Sequence, residues 1–175
     1  MRWIVGSVPT CDRPNMTERI ELDPMMFGGD QPCFGCRHDH PTGLRLRFFR
    51  EGDAITTELV PTALQEGPPG VMHGGLVTTV ADELAAWTVI GLRERFGFTA
   101  AIEARLKKPA RTGILLRGTG RVAVDTHRLM KIEIELSQEG AAVFTGLFTF
   151  ALLDRAGAEK LLGRALPEHW AKFGR

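Results

Sequence analysis

Apolar and polar side chains alternate over residues 44–50 (LRLRFFR), the triplet 51–53 (EGD) turns the chain, and alternation resumes over 54–60 (AITTELV). A period of two sets one face of a strand against a core, so these segments predict a β-hairpin. From Leu76 to Arg95 the period changes. Leu76, Val77, Val80, Ala81, Leu84, Ala85 and Val89 recur at spacings of three and four, and neither Gly nor Pro interrupts them before Gly91. That spacing predicts one long helix whose apolar surface is wide enough for a sheet to wrap. Residues 99–109, 114–126, 128–137 and 141–153 alternate again, with turns at Thr112-Gly113 and 138–140, and predict four strands in an antiparallel meander. A short charged helix is expected over 157–173. The fold class is α+β, one antiparallel sheet wrapped around one long central helix.

Composition places boundaries on this pattern. Pro9, Pro14, Pro24, Pro32 and Gly28-Gly29 interrupt the first 32 residues, so 1–32 is expected to be an irregular arm, 33–154 the domain proper and 155–175 a helical extension. A chain of 175 residues is one domain by length. Lys and Arg number 22 against 21 Asp and Glu, a net charge of +1, which supplies no field for nucleic acid. No run approaches the roughly 18 apolar residues of a membrane span. The opening MRWIVGSVPT has too short an apolar stretch for a secretory leader. Three cysteines make no disulfide framework, so reduced thiols and a cytoplasmic location are expected.

The residue inventory removes whole reaction classes. The only serines are Ser7 and Ser137, neither in a G-x-S-x-G elbow, and there is no tyrosine. Neither a P-loop nor a G-x-G-x-x-G is present. Carboxylate, histidine, cysteine and backbone chemistry remain.

The loop and helix of residues 67–87 (GPPGVMHGGLVTTVADELAAW) concentrate what is left. Gly70, Gly74 and Gly75 let backbone approach a ligand closely, and the first amides of the helix point outward with the positive end of its dipole. They can hold an anion or a developing oxyanion; a Gly-Gly helix entrance serves equally as a tight packing turn. Asp82 and Glu83 are the only ionisable residues between Val77 and Ile90. A carboxylate in so apolar a helix is costly to desolvate and has its pKa raised, unless it lies on a solvated face.

His73-Gly74-Gly75 followed by Asp82, nine residues after the histidine, resembles the hotdog-fold acyl-CoA thioesterases of the PaaI and 4-hydroxybenzoyl-CoA thioesterase type. The resemblance extends over about 33–154, through CFGCRHDHPTGLRLRF at 33–48, QEGPPGVMHGG at 65–75, and FTAAIEARLKKPARTG at 98–113 with Arg105 and Pro109. It implies a hotdog fold and hydrolysis of an acyl-CoA, with Asp82 as nucleophile or as general base on water and the Gly74 amide donating to the thioester oxygen. His73, Gly75 and Glu83 stand beside them as candidates, His73 as a loop residue bonded to backbone rather than as the proton-transfer base. Residues 74 and 82 lie about 12 Å apart along a helix rising roughly 1.5 Å per residue. One chain therefore cannot readily bring both to one carbon, and a dimer, or a dimer of dimers, with Gly74 of one subunit facing Asp82 of the other is expected. Relatives often carry Asn or Gln about six residues before this histidine; here the position is Gly67, with Gln65 or Glu66 as substitutes. Thr99 is a possible hydroxyl partner of the acid, or simply a good strand former.

Arg105, Lys107, Lys108 and Arg111 form a basic group after the helix. Alternation puts 105 and 107 on one strand face, where they could meet the phosphates of coenzyme A or remain solvated. Cys33-x2-Cys36-x-His38-x-His40 can be drawn as a zinc site, but the spacing is too compact and lacks a distant second pair, so neither metal nor cofactor is expected. A hotdog dehydratase would need a histidine between His40 and Gly67, and none exists. A non-catalytic acyl-CoA-binding protein is the rival of a different class, favoured by the missing Asn or Gln.

Overall fold

The computed structural model describes residues 18–28 and 31–173. The opening MRWIVGSVPT, with Pro9, and Pro14 lie outside them. Seven strands form one antiparallel sheet: β1 (Arg19–Leu22), β2 (Phe48–Glu51), β3 (Ala54–Leu59), β4 (Gly97–Leu106), β5 (Leu116–Asp125), β6 (Leu129–Gln138) and β7 (Ala141–Leu152). The long helix α1 (Gly74–Arg93) lies against their concave face, and α2 (Arg155–Leu162) follows the last strand. Spatial order is β1-β2-β3-β5-β6-β7-β4.

The alternation in β6 explains the layering. Met130, Ile132, Ile134 and Leu136 are buried beneath α1, while Glu133 and Glu135 between them face out. Phe144, Phe148 and Phe150 of β7 extend the same core. The helix comes close because β5 has glycines where it passes. A Cβ on Gly120 would sit 2.2 Å from Thr88 Oγ1, and one on Gly118 would sit 2.8 Å from Leu84. Thr88 is fully buried and satisfied, its hydroxyl donating 2.7 Å to the Leu84 carbonyl. By length and a mean hydropathy of 1.3, α1 could also cross a membrane; here it is the helix that the sheet wraps.

Several sequence expectations need correction. The four later strands are not one meander: β5, β6 and β7 are, but β4 crosses to the far edge and pairs with β7. Residues 44–47 are not part of the hairpin ladder. Leu44 and Leu46 donate their amides to Phe34 and Gly35 at 2.9 and 2.8 Å, and Arg45 has a positive φ of 52°, so their alternation reflects burial without pairing. The arm read as irregular contains β1, which pairs with β2 from Arg19↔Glu51 to Leu22↔Phe48; four residues are too few for periodicity to register. α1 starts earlier than Leu76 and stops before Arg95, closed by Glu94 in a left-handed conformation. The C-terminal helix is broken at Gly163, also left-handed, and a 3-10 turn follows at Glu168–Phe173. That turn clasps the N-terminal segment: Trp170 Nε1 lies 2.7 Å from the Phe27 carbonyl, which His169 also contacts, and Phe27 packs edge-on to Trp87 of α1.

Candidate active site

The loop before α1 is folded on itself. Glu66 bridges to Met72 and Val71 to Arg111, Gly67 donates its amide to Val71, and Met72 donates to Ala110 at 2.8 Å. This clamp fixes where α1 begins. His73 is the N-cap, its Nδ1 accepting the Gly75 amide at 3.0 Å, which spends the Gly75 N–H inside the loop. Leu76 and Val77 donate to the His73 carbonyl. The Gly74 amide meets no acceptor among the described residues. Of the two glycines expected at the site, Gly74 alone keeps a free donor at the positive end of the helix.

Gln65 and Glu66, expected to replace the absent Asn or Gln, are engaged elsewhere. The Gln65 side-chain oxygen accepts from the Thr62 amide at 2.6 Å and its hydroxyl at 2.9 Å, completing a capping box. Glu66 accepts from the Thr112 hydroxyl at 2.9 Å. Both hold the loop in shape rather than pointing a polar group at a thioester.

Two turns along α1, Asp82 is half-buried and accepts a 2.7 Å hydrogen bond from Thr99 Oγ1 on β4. Burial raises its carboxyl above the ordinary carboxylate range, and the Thr99 bond opposes that rise. Glu83 does not join it. One residue rotates a helix by about 100°, and Glu83 instead reaches the turn at 33–36, where its Oε1 lies 3.1 Å from Cys33 Sγ. Burial, then the charge of Cys33, push Glu83 up to about 8. A hydrogen bond from Cys36 pulls Cys33 down to about 5, and the same bond with burial pushes Cys36 up. His38 is exposed, and His40 accepts from the Thr42 amide and packs on Phe34. The sequence reading missed the Cys33–Cys36–Glu83 grouping; the C-x-x-C signal was visible, but its third member is 47 residues away in sequence.

The basic group splits. β4 ends at Leu106, and both Lys107 and Lys108 turn their amides to the Val143 carbonyl, which breaks the alternation expected to align 105 with 107. Arg105 lines a groove of about 690 Å3 on the outer face of the sheet with Glu133 and Glu135. Lys107 and Lys108 instead line a cavity of about 340 Å3 with Gly74, Met72, Val77 and Leu106. Arg111 lines a neighbouring hollow with Pro69 and Lys108, and buried Gln138 holds its amide and carbonyl at 2.8 and 2.9 Å. The outer groove is the roomier, but only the smaller cavity contains the free amide of Gly74.

Comparison with known proteins adds the family. Residues 69–145 match the Thioesterase superfamily model. Among curated proteins, none matches. A hypothetical thioesterase of Streptococcus pneumoniae TIGR4, solved with coenzyme A, shares 18% identity at a TM-score of 0.55 over 57% of this chain and 81% of its own. A thioesterase of Haemophilus influenzae shares 16% at 0.60, over 67% and 85%. A phenylacetic acid degradation-related protein of Ralstonia eutropha JMP134 shares 25% at 0.56, over 62% and 85%. The matched segment runs through the clamped loop, all of α1 and the strands β4, β5 and β6, so this part of the chain is similar to the thioesterase superfamily, and the fold around it is the hotdog fold.

Proposed function

We propose that the protein hydrolyses an acyl-CoA thioester at sites shared between two copies of the chain. One observation carries this reading: a helix with an unpartnered amide at Gly74 and, about 12 Å along it, a half-buried carboxylate held by Thr99. A thioester carbonyl needs a hydrogen-bond donor on its oxygen and a base or nucleophile at its carbon, both about 3 Å away. The two groups of one chain are too far apart, whereas two copies of α1 side by side can pair Gly74 of one with Asp82 of the other. Gly75, Thr79, Asp82 and Ala86 form a stripe of short side chains along one face of α1, all at least partly exposed. β4, paired on one side only, presents Ile102 and Leu106 at 44% and 57% exposure.

In the reaction, the Gly74 amide stabilises the tetrahedral oxyanion. Asp82 either takes a proton from the attacking water or attacks the carbonyl itself, giving an anhydride that water then opens. In both routes the C–S bond breaks and coenzyme A leaves as a thiol with one proton. Lys107 and Lys108 rim the cavity at Gly74, with Arg111 in the neighbouring hollow, a basic group suited to the phosphates of coenzyme A; the Streptococcus pneumoniae relative was solved with that molecule.

Asp82→Asn is expected to lower thiol release from acyl-CoAs by roughly 10²–10⁴-fold without altering the fold or the association state; unchanged turnover would end the proposal. A second reading, binding without hydrolysis, is favoured by the engagement of Gln65 and Glu66 within the loop. Under it, short, medium, aromatic or long acyl-CoAs would raise the melting temperature without releasing thiol.

A further inference from the structure

About 100° around α1 from Asp82, the Sγ atoms of Cys33 and Cys36 and a carboxylate oxygen of Glu83 all lie within 4.8 Å of one another. We infer that this trio is a structural zinc site that staples the 33–36 turn to α1. No metal was expected from Cys33, Cys36, His38 and His40, whose spacing is compact and lacks a distant second pair; the structure turns both histidines away and brings in a distant carboxylate from the helix instead.

Three features show a site built around these atoms. Gly35, between the cysteines, lies directly over the Glu83 side chain, where a Cβ would stand 2.2 Å from its Cγ and Cδ and 2.6 Å from Oε1. Only a glycine leaves room for the carboxylate to reach beneath the turn. The turn itself is pinned: Arg37 donates its amide to the Cys33 carbonyl, and Leu44 and Leu46 donate theirs to Phe34 and Gly35. Gln31, 7% exposed, accepts the Cys33 amide at 3.1 Å and points its Nε2 at Cys36 Sγ from 3.9 Å, the outer-shell donor that orients a metal-bound thiolate.

The donor set favours Zn²⁺, which accepts thiolate sulfur and carboxylate oxygen in a tetrahedron. With Zn–S of about 2.3 Å and Zn–O of about 2.0–2.2 Å, neighbouring ligand atoms are roughly 3.5–3.8 Å apart. The three atoms lie within 4.8 Å of one another, with Cys33 Sγ and Glu83 Oε1 3.1 Å apart, so small side-chain rotations bring them to that spacing. Cys33 and Glu83 are only half-buried, so water can take the fourth position. Charge points the same way: no Lys or Arg among the described residues forms an ion pair with Glu83, and a divalent cation balances three anionic ligands to within one charge.

The test uses the full chain, reduced, stripped with a chelator, and titrated with Zn²⁺ against a chromophoric competitor and separately with Co²⁺. The expected result is one metal per chain, a thiolate-to-cobalt charge-transfer band with tetrahedral visible bands, and a rise in melting temperature on adding Zn²⁺. Cys33→Ser or Cys36→Ser should weaken Zn²⁺ binding by about 100-fold and Glu83→Gln by about tenfold, while Cys11→Ser and Asp82→Asn leave it unchanged. The Asp82→Asn result separates this site from the thioester reading, on which it does not depend. The inference is overturned if the unaltered protein binds Zn²⁺ no more tightly than the Cys33→Ser/Cys36→Ser double variant, or if mass spectrometry finds Cys33 and Cys36 joined by a disulfide after isolation under reducing conditions. The titration of the unaltered protein decides the matter even where a variant fails to fold.

Discussion

Asp82 depends on Thr99 for direction. A carboxylate on a helix can sweep through several rotamers, and the 2.7 Å bond from a rigid β4 hydroxyl selects one. Thr99→Val should therefore lower kcat for thiol release roughly tenfold, equivalent to about 1.4 kcal/mol of lost positioning, with KM little changed, and Thr99→Ser should restore most of it. A loss confined to KM would assign Thr99 to substrate binding instead. At this scale the sequence was informative where chemistry was scarce. Asp82 stood out because α1 has so few ionisable groups, and Thr99 could be suspected because it opens the next strand. The partner of Glu66 was not legible, because Thr112 claims it through a contact that exists only once the loop has closed, whereas Gln65 is taken by Thr62, three residues before it, in a local capping box. The direction of Glu83 was hidden for a related reason: helical periodicity separates it from Asp82 but does not say what covers the other face.

At the scale of elements, the packing of α1 on β5 sets a strict volume limit. Gly120→Ala pushes a methyl into the Thr88 hydroxyl and against Ile134, and overpacking of this kind costs about 1–3 kcal/mol. Chemical denaturation should show that loss, and adding Thr88→Ala should recover part of it by vacating the space. Recovery greater than the single-variant loss would mean the two sites do not share this contact. The long periodic segments were the legible ones: α1 and the strands from β4 to β7 lie where period and turns predict them, because each buries one continuous face. Short or irregular pieces escaped. β1 has four residues, the 44–47 stretch alternates without pairing, and the path of β4 to the far edge depends on what the sheet leaves open rather than on any local signal.

For the whole molecule, the proposed sharing of sites would make activity a property of the pair. Sedimentation velocity should show a dimer or a dimer of dimers, and Ile102→Asp, placing a charge on the exposed edge strand, should shift it toward monomer and abolish thiol release together. A fully active monomer would contradict the shared site. The same assembly would cover much of α1, of whose most apolar stretch only 44% is buried in the single chain.

That apolarity also bears on how the chain is made. Synthesis runs from the N-terminus, so α1 emerges from the ribosome before β5, β6 and β7 emerge to cover it. For that interval the nascent protein carries a 20-residue apolar segment with only β1, β2 and β3 ahead of it in the chain, leaving the kind of surface that chaperones hold and that aggregates when left free. The vulnerable moment in this protein's life is thus set by the order of its elements: its stickiest segment is translated ahead of most of the sheet that will enclose it.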